Sequence, residues 1–297
     1  MWMEYKEQID PETVSNIEYF IEEKKNVRGW SEHTIAAMRS VLYSFFAKIN
    51  KKIADVTQDD VIEWLDEYRI DEKTGKPKKP ATINQRLALL KIFFIYATEE
   101  FGLKNVPIYK KWRQKEPLSV PRSLSESEYS QLKAYVKTLA LRDRTMVLIA
   151  LDTGLRASEL VSLTTANISL EDRSIQVLTK GKKMRTTFFK EETLFVLKEL
   201  IATLPEGESH LFLNKYGKPI SDRSMRRIFN KIGNELGFTR RFTPHVCRHT
   251  FVTKLLDKGA TLTTARILVD HKNSSTTKRY AKISAKSLLE EYDKYVE

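Results

Sequence analysis

Apolar residues recur at helical spacing in four stretches of the first third of the chain. The stretches span residues 11–26, 31–50, 57–69 and 79–102. In the second, one apolar stripe contains Ile35, Met38, Leu42, Phe45, Phe46 and Ile49. Ser31 supplies a side-chain oxygen of the kind that commonly caps a helix start. The pattern therefore predicts four amphipathic helices packed as one N-terminal bundle, with a lysine-rich loop at 71–80 between the third and fourth.

The helical periodicity stops around residues 110–122, where two prolines interrupt the chain. We place a linker at 114–123, between a helical domain at 1–113 and a second domain at 124–297. In the second domain, two β-prone runs at 174–179 and 186–189 flank the sequence Lys180-Gly-Lys-Lys183. Helices resume after residue 192. The predicted fold class is mainly α with a small antiparallel β-hairpin, an α+β arrangement in the second domain.

Charge separates the two domains more sharply than hydrophobicity does. The net charge is +12, and residues 1–113 hold 19 Lys+Arg against 18 Asp+Glu. Nearly all the excess therefore lies after residue 113, which favours a polyanionic partner such as nucleic acid. A membrane-surface or acidic-protein binder would also explain the charge, although the charge favours nucleic acid over these. The single cysteine excludes an internal disulfide framework, and no apolar run or leader-like start indicates a membrane, so we expect a cytoplasmic protein.

A candidate anion site begins at Thr153-Gly-Leu-Arg-Ala-Ser-Glu-Leu160. Gly154 allows a turn into a helix, which would place Arg156 in the first helical turn, where backbone N–H groups attract anions. Glu159 lies three residues on and is able to orient the guanidinium. An ordinary surface ion pair would give the same pattern. Lys180 lies at the tip of the predicted hairpin, with Lys182, Lys183 and Arg185 beside it. This basic tip also has two interpretations. It is either a solvated turn or a loop whose lysine enters a groove and delivers a proton.

A second cluster is Thr243-Pro-His-Val-Cys-Arg-His-Thr250, which has the cap and first-turn proline of a helix start. His245 and Arg248 then share one face, whereas His249 is expected to point elsewhere and Cys247 to pack in the core. Three of the five histidines lie between 245 and 271, which favours a site.

Tyr280 follows His271 by nine residues. A phenol has an ordinary pKa of about 10, so nucleophilic use requires cations nearby.

The order Arg156, Lys180, His245-x-x-Arg248, His271, Tyr280 resembles the signature of the tyrosine recombinase (phage integrase) family. The runs TGLRASEL and HVCRHTF carry the resemblance best, and the size is similar to that of compact Xer-like members. One departure is Val269-Asp270 before His271, where the family usually has Leu-Gly; an aspartate there is able to pair with a site cation.

The resemblance implies that Tyr280 attacks a DNA phosphodiester and forms a 3′-phosphotyrosyl bond, with no metal, ATP or other cofactor. Arg156, Arg248 and His271 would stabilise the phosphate, Lys180 would be the general acid and His245 an acid/base partner, with Glu159 behind Arg156. The two domains would clamp a double-stranded recombination site, and four protomers would exchange strands through a Holliday junction. The basic residues expected on DNA are Lys51, Lys52, Lys78, Lys79, Arg86, Lys182 and Lys183.

The same residues are compatible with two alternative functions. A type IB topoisomerase uses the same tyrosine chemistry as a monomer. A non-catalytic DNA-binding regulator would need neither Tyr280 nor His245.

Overall fold

The computed structural model describes residues 2–72, 74–116, 123–179, 183–269 and 293–296. The chain divides into two compact units, Met1–Ser119 and Val120–Glu297. The mainly helical fold with one small antiparallel sheet confirms the predicted fold class. Among the described helices, none combines the length and the apolarity that a membrane span requires.

Within its described residues, the first unit is built from helices and short 3₁₀ turns. Its helices are α1 (Trp2–Lys6), α2 (Pro11–Asn26), α3 (Glu32–Ile49), α4 (Gln58–Tyr68) and α5 (Pro80–Glu100), with 3₁₀ turns at Ile53–Asp55 and Lys110–Trp112. The four predicted helices are confirmed to within two residues at each end, and α1 adds one that periodicity did not predict. Ser31 accepts a hydrogen bond from the backbone N–H of Thr34, so it is the helix cap that the sequence predicted.

An aromatic cluster fills the core of this unit. Phe20, Phe45, Phe46, Phe93 and Phe94 are all fully buried, and they meet mostly edge to face, with ring centroids 5.1–5.8 Å apart for the closest such pairs. This geometry is the one that aromatic quadrupoles favour. The predicted apolar stripes of the second and fourth helices therefore meet in one core.

The second unit surrounds one buried helix. Its described helices are α6 (Glu126–Val136), α7 (Leu141–Thr153), α8 (Ala157–Val161), α9 (Glu191–Ala202), α10 (Asp222–Glu235), α11 (Pro244–Asp257) and α12 (Leu262–Val269), with a 3₁₀ turn at Thr165–Asn167. Residues 145–153 of α7 are buried on every side. Helices α9 and α11 pack on α7, which explains why its residues 146–151 are apolar on every side.

A three-stranded antiparallel sheet lies in the same unit. Its strands are β1 (Ile168–Ser169), β2 (Ser174–Leu178) and β3 (Met184–Phe188), in the order β1-β2-β3. Ser174 pairs with Phe188 and Leu178 with Met184, which confirms the predicted hairpin. The C-terminal residues 293–296 contact their own unit: Asp293 accepts a hydrogen bond from Arg173 at 2.6 Å, and Tyr295 and Val296 pack near Phe251.

Candidate active site

The turn after α7 brings three distant parts of the chain together. Helix α7 ends at Thr153, and its C-cap is Gly154, whose φ of 58° lies in the left-handed region. A Cβ atom there would lie 2.8 Å from Phe251 Cδ1 and 3.1 Å from Val269 Cγ1. Only glycine fits this turn, because a side chain would overlap α11 and the end of α12.

Arg156 lies immediately after this turn, at the N-cap of α8. The sequence placed it within the first helical turn, so that expectation is wrong by one position. The reason is that α8 begins only at Ala157, after the extended backbone that carries Arg156. Its side chain is one-third exposed, which leaves the guanidinium at the surface of the unit.

Glu159 joins two arginines. One carboxylate oxygen accepts from Nη1 of Arg156 at 2.7 Å, and the other accepts from the Arg156 backbone N–H at 2.8 Å and from Nη2 of Arg185 at 2.9 Å. Burial, with the residue only 6% exposed, tends to raise the pKa of this carboxyl. The charge of Arg185 and the hydrogen bonds from Arg156 outweigh burial, so the pKa of Glu159 lies below its ordinary value.

Arg185 is a site residue that the sequence interpretation misplaced. The sequence groups Arg185 with the lysines of the hairpin tip, but the structure shows that it is only 7% exposed. Strand β3 begins at Met184, two residues before the predicted run, and the alternation of the strand turns Arg185 inward opposite Val177. Besides Glu159, its guanidinium donates to the backbone carbonyl of Leu268. The available sequence signal was the two-residue alternation of a strand, which places Arg185 and Thr187 on the same face.

Arg248 is buried in α11, with 3% of its surface exposed. The predicted start of this helix is confirmed: Thr243 caps it and Pro244 occupies its first turn. Nη1 of Arg248 donates to the Gly154 carbonyl at 2.8 Å, and Nη2 donates to the carbonyl of Val269. A guanidinium has five N–H donors, so carbonyl binding and phosphate binding by one arginine are compatible.

Two arginines thus bind the last two carbonyls of α12. Arg185 binds Leu268 and Arg248 binds Val269, at the negatively polarised end of the helix. The next residues in the sequence are Asp270 and His271. The arginine network therefore fixes the point from which the chain continues toward the predicted His271 and Tyr280.

The two histidines of α11 lie together, which corrects the expectation that His249 points elsewhere. The expectation that His245 and Arg248 share one face is also wrong, because Arg248 is buried and His245 is exposed. Nε2 of His245 lies 3.1 Å from Nε2 of His249, and the ring centroids are 4.4 Å apart. The residues are one helical turn apart, so the same face carries both rings. His245 is exposed and His249 half-buried. Cys247 is buried in the core as predicted, and burial raises the pKa of its thiol.

Four predicted residues fall outside the described part of the chain: Lys180, Lys182, His271 and Tyr280. Their roles stay predictions. At the base of the same hairpin, the Thr179 backbone N–H donates to the carbonyl of Lys183 at 2.8 Å, and Lys183 is exposed.

The basic residues predicted to contact DNA from the first unit mostly hold partners within it. Lys51 pairs with Asp60 at 2.8 Å, and Lys52 pairs with Glu12 at 2.8 Å. The ammonium of Lys78 donates to the carbonyls of Tyr68 and Ile70. Two further contacts in this region are those of Arg86, which donates to Tyr68 Oη and Ser40 Oγ. Lys79 is exposed at the N-cap of α5.

Metal-ligating side chains do not cluster in the regions that the structure describes. No group of three or more histidine, cysteine, aspartate or glutamate residues converges there in a way that could hold an ion. Among the described residues around the Gly154 turn, arginines pair with the Glu159 carboxylate and with backbone carbonyls.

Two family models cover most of the chain. Residues 122–287 match the phage integrase family, and residues 17–100 match the phage integrase N-terminal SAM-like domain. Among similar curated proteins, tyrosine recombinase XerC of Thermodesulfovibrio yellowstonii is 31% identical over 287 residues, covering 93% of this chain and 94% of the relative. XerC of Lactobacillus leichmannii is 30% identical over 93% of this chain and 96% of its own length.

Solved structures give the same fold at lower identity. The Tn1549 transposon integrase in complex with circular intermediate DNA is 20% identical, covering 91% of this chain and 97% of that one, with a TM-score of 0.68. The XerH recombinase bound to a palindromic difH substrate is 21% identical, covering 90% and 80%, with a TM-score of 0.70. The relatives are recombinases, which does not favour the topoisomerase or regulator alternatives. The chain therefore belongs to the phage integrase family and is a tyrosine recombinase.

Proposed function

We propose that this recombinase cuts and rejoins double-stranded DNA at a specific recombination site, with Tyr280 as the nucleophile. The observation that carries the proposal is the assembly of Arg156, Glu159 and Arg248 at one turn of the second unit. Arg156 and Arg248 are 92 positions apart in the sequence. Arg248 nevertheless binds the carbonyl of Gly154, which lies two residues before Arg156. The same network holds the helix that leads toward Tyr280.

The chemistry follows from the residue types. The phenol oxygen of Tyr280 attacks the phosphorus, the P–O5′ bond breaks, and a 3′-phosphotyrosyl bond forms. Lys180 donates a proton to the departing 5′ oxygen, and His245 accepts the phenol proton. Reversal of these steps by a 5′-hydroxyl rejoins the strand. The phosphotyrosyl ester conserves the bond energy, so no nucleotide is needed.

Arg156 and Arg248 meet the charge that develops on the phosphate, with His271 adding a hydrogen bond. Arg156 suits this role because Glu159 holds its guanidinium by a 2.7 Å bond while a third of the side chain stays exposed. A donor fixed in advance costs no reorganisation when the charge develops. Two cations would thereby do what metal ions do in many nucleases.

We assign DNA binding to both parts of the chain. Residues 1–113 form a helical core-binding domain, 114–123 a linker, and 124–297 the catalytic domain, and the two domains clamp the duplex. Phosphate contacts come from the basic residues predicted above: Lys51, Lys52, Lys78, Lys79, Arg86, Lys182 and Lys183. Exchange between two duplexes then requires a homotetramer and a Holliday junction, in a cytoplasmic, nucleoid-associated protein.

A nicked duplex that traps the covalent intermediate tests this proposal. Wild-type protein should form an adduct that survives denaturing gel electrophoresis, in excess EDTA and without ATP. Tyr280→Phe should bind the duplex and form no adduct, whereas Tyr216→Phe, at an exposed tyrosine, should behave as wild type. An adduct with Tyr280→Phe would move the nucleophile to another residue. Relaxation of random plasmid DNA by a monomer would restore the topoisomerase alternative.

A further inference from the structure

The His245–His249 pair has a geometry that the proposed cleavage reaction does not use. The two Nε2 atoms lie 3.1 Å apart on the face of α11, one helical turn from each other. At this distance one imidazole carries the proton that the other accepts. The pair therefore presents two facing nitrogens that share a single proton at the surface.

The same spacing suits a metal ion in place of that proton. Zinc–nitrogen bonds measure about 2.0–2.1 Å, so two nitrogens on a tetrahedral ion lie roughly 3.3–3.4 Å apart. At adjacent corners of a square-planar copper ion they lie roughly 2.8–3.0 Å apart. The observed 3.1 Å falls between these values. Histidines four residues apart on one helix face are also the spacing that helical zinc sites use.

We propose that His245 and His249 together bind a divalent transition-metal ion of the zinc and copper class, and that the bound ion blocks strand cleavage. The two imidazoles supply two of the ligands of such an ion, fewer than the four that hold a structural zinc ion. Binding should therefore be reversible by chelators. Arg248, the cation nearest along α11, is turned to the buried side, where it binds the carbonyls of Gly154 and Val269, so it does not occupy the exposed face of the pair.

Inhibition rests on the proposed function of His245. A metal ion on Nε2 occupies the lone pair with which His245 would accept the phenol proton. The ion is thus an inhibitor of this enzyme and takes no part in its catalysis.

Binding is measured first, without DNA. The full-length protein is titrated with Zn²⁺ in competition with a chromophoric chelator. His249→Gln should weaken the affinity for Zn²⁺ at least about tenfold, and so should a second variant, His245→Gln. A loss of about tenfold is the smallest expected even when an outer-shell partner of a metal site is mutated, and these residues would be direct ligands. His210→Asn is the matched control, since His210 contacts Glu208 away from the pair. Wild-type affinity in both Gln variants, or equal loss in the control, would overturn the site.

Cleavage of the nicked duplex is the second readout, with each protein compared to its own metal-free rate. Zn²⁺ should slow the wild type in proportion to the fraction of protein that holds the ion, and EDTA should restore the rate, whereas His249→Gln should lose this sensitivity. Full-rate cleavage by protein shown to hold Zn²⁺ at the pair would overturn the inhibition. Absence of cleavage by the metal-free wild type would count against the proposed function instead, and the binding titration would still decide the site.

Discussion

The two units place their charged side chains differently. In the first, the ion pairs lie largely at the surface: the side chains of Lys52 and Glu12 are 60% and 66% exposed. In the second, Arg185 and Glu159 pair with both side chains 6% exposed. Surface pairs contribute little and exchange partners easily, whereas a buried charge must keep its partner. Exposed ion pairs suit lysines that exchange a carboxylate partner for a DNA phosphate. Buried ion pairs suit a site that must be rigid before the substrate binds.

The largest expected effect comes from removing the buried carboxylate. Glu159→Gln keeps the shape but leaves the buried charge of Arg185 uncompensated, so the free energy of unfolding of the second unit should fall by about 3–5 kcal/mol. Urea denaturation followed by far-UV circular dichroism measures this. All four tryptophans lie at or before residue 112, so tryptophan fluorescence reports the first unit separately.

Glu126→Gln is the matched control for this variant. Glu126 pairs with Lys254 but its side chain is 79% exposed, so the loss should be about 1 kcal/mol or less. Equal losses from the two variants, or a shift confined to the tryptophan signal, would contradict the contrast between surface and buried pairs.

Gly154→Ala should have the next largest effect. An alanine there must adopt the left-handed backbone conformation, which costs about 1 kcal/mol. Its methyl group would also overlap Phe251, and this overpacking would cost about 1–3 kcal/mol more. Gly237→Ala is the control, because its φ of 68° carries the same strain while nothing lies within 4 Å of the added atom. Thermal unfolding should rank Gly154→Ala clearly below Gly237→Ala. Equal melting temperatures would mean that the turn relaxes.

The pH dependence of stability should follow Glu159. Its folded-state pKa lies below the ordinary 4.5, so its ion pairs stabilise the fold above that value, and the stabilisation is lost as the pH falls through the lowered pKa. The difference in unfolding free energy between wild type and Glu159→Gln should therefore shrink below about pH 4.5. A difference that stays constant from pH 7 down to strongly acidic pH would rule out the ion pair as its source.

Removing one surface lysine should have the smallest effect. Lys79→Ala should lower the slope of log affinity against log salt by up to about 1, equally on all DNA sequences. Lys78 is a poorer test because its ammonium also holds the carbonyls of Tyr68 and Ile70, so its loss would disturb the loop. A sequence-dependent loss for Lys79→Ala would indicate base readout in place of a phosphate contact.

Local patterns were sufficient to predict most of the fold. The helices of the first unit and the Thr243–Pro244 helix start depend on apolar periodicity and on capping residues within a few positions. The partners of the buried arginines could not be predicted in this way. Arg185 binds a carbonyl 83 residues away, and which strand face turns inward depended on where β3 begins. The contact between His245 and His249 depended on rotamers, which spacing alone does not fix.

The predicted site residues fall into those that the structure describes and those that it does not. The structure brings Arg156, Glu159 and Arg248 together because each is anchored by backbone or by a buried partner. Lys180, His271 and Tyr280 lie outside the described residues, and their roles stay with the family resemblance. Lys51, Lys52 and Lys78 have ion-pair or hydrogen-bond partners that the sequence did not indicate, so a phosphate contact would require each of them to exchange a partner.

In the proposed reaction Arg156 acts on the transferred phosphate, whereas the affinity for DNA resides in other contacts. The most direct measurement compares Arg156→Lys with wild type on one nicked duplex, by salt titration of binding and by single-turnover cleavage. Lysine keeps the charge but loses the planar fork that matches a phosphate. Cleavage should fall on the order of 100-fold or more while affinity changes little. Cleavage at the wild-type rate, or a loss of affinity alone, would make Arg156 an ordinary surface charge and contradict the account.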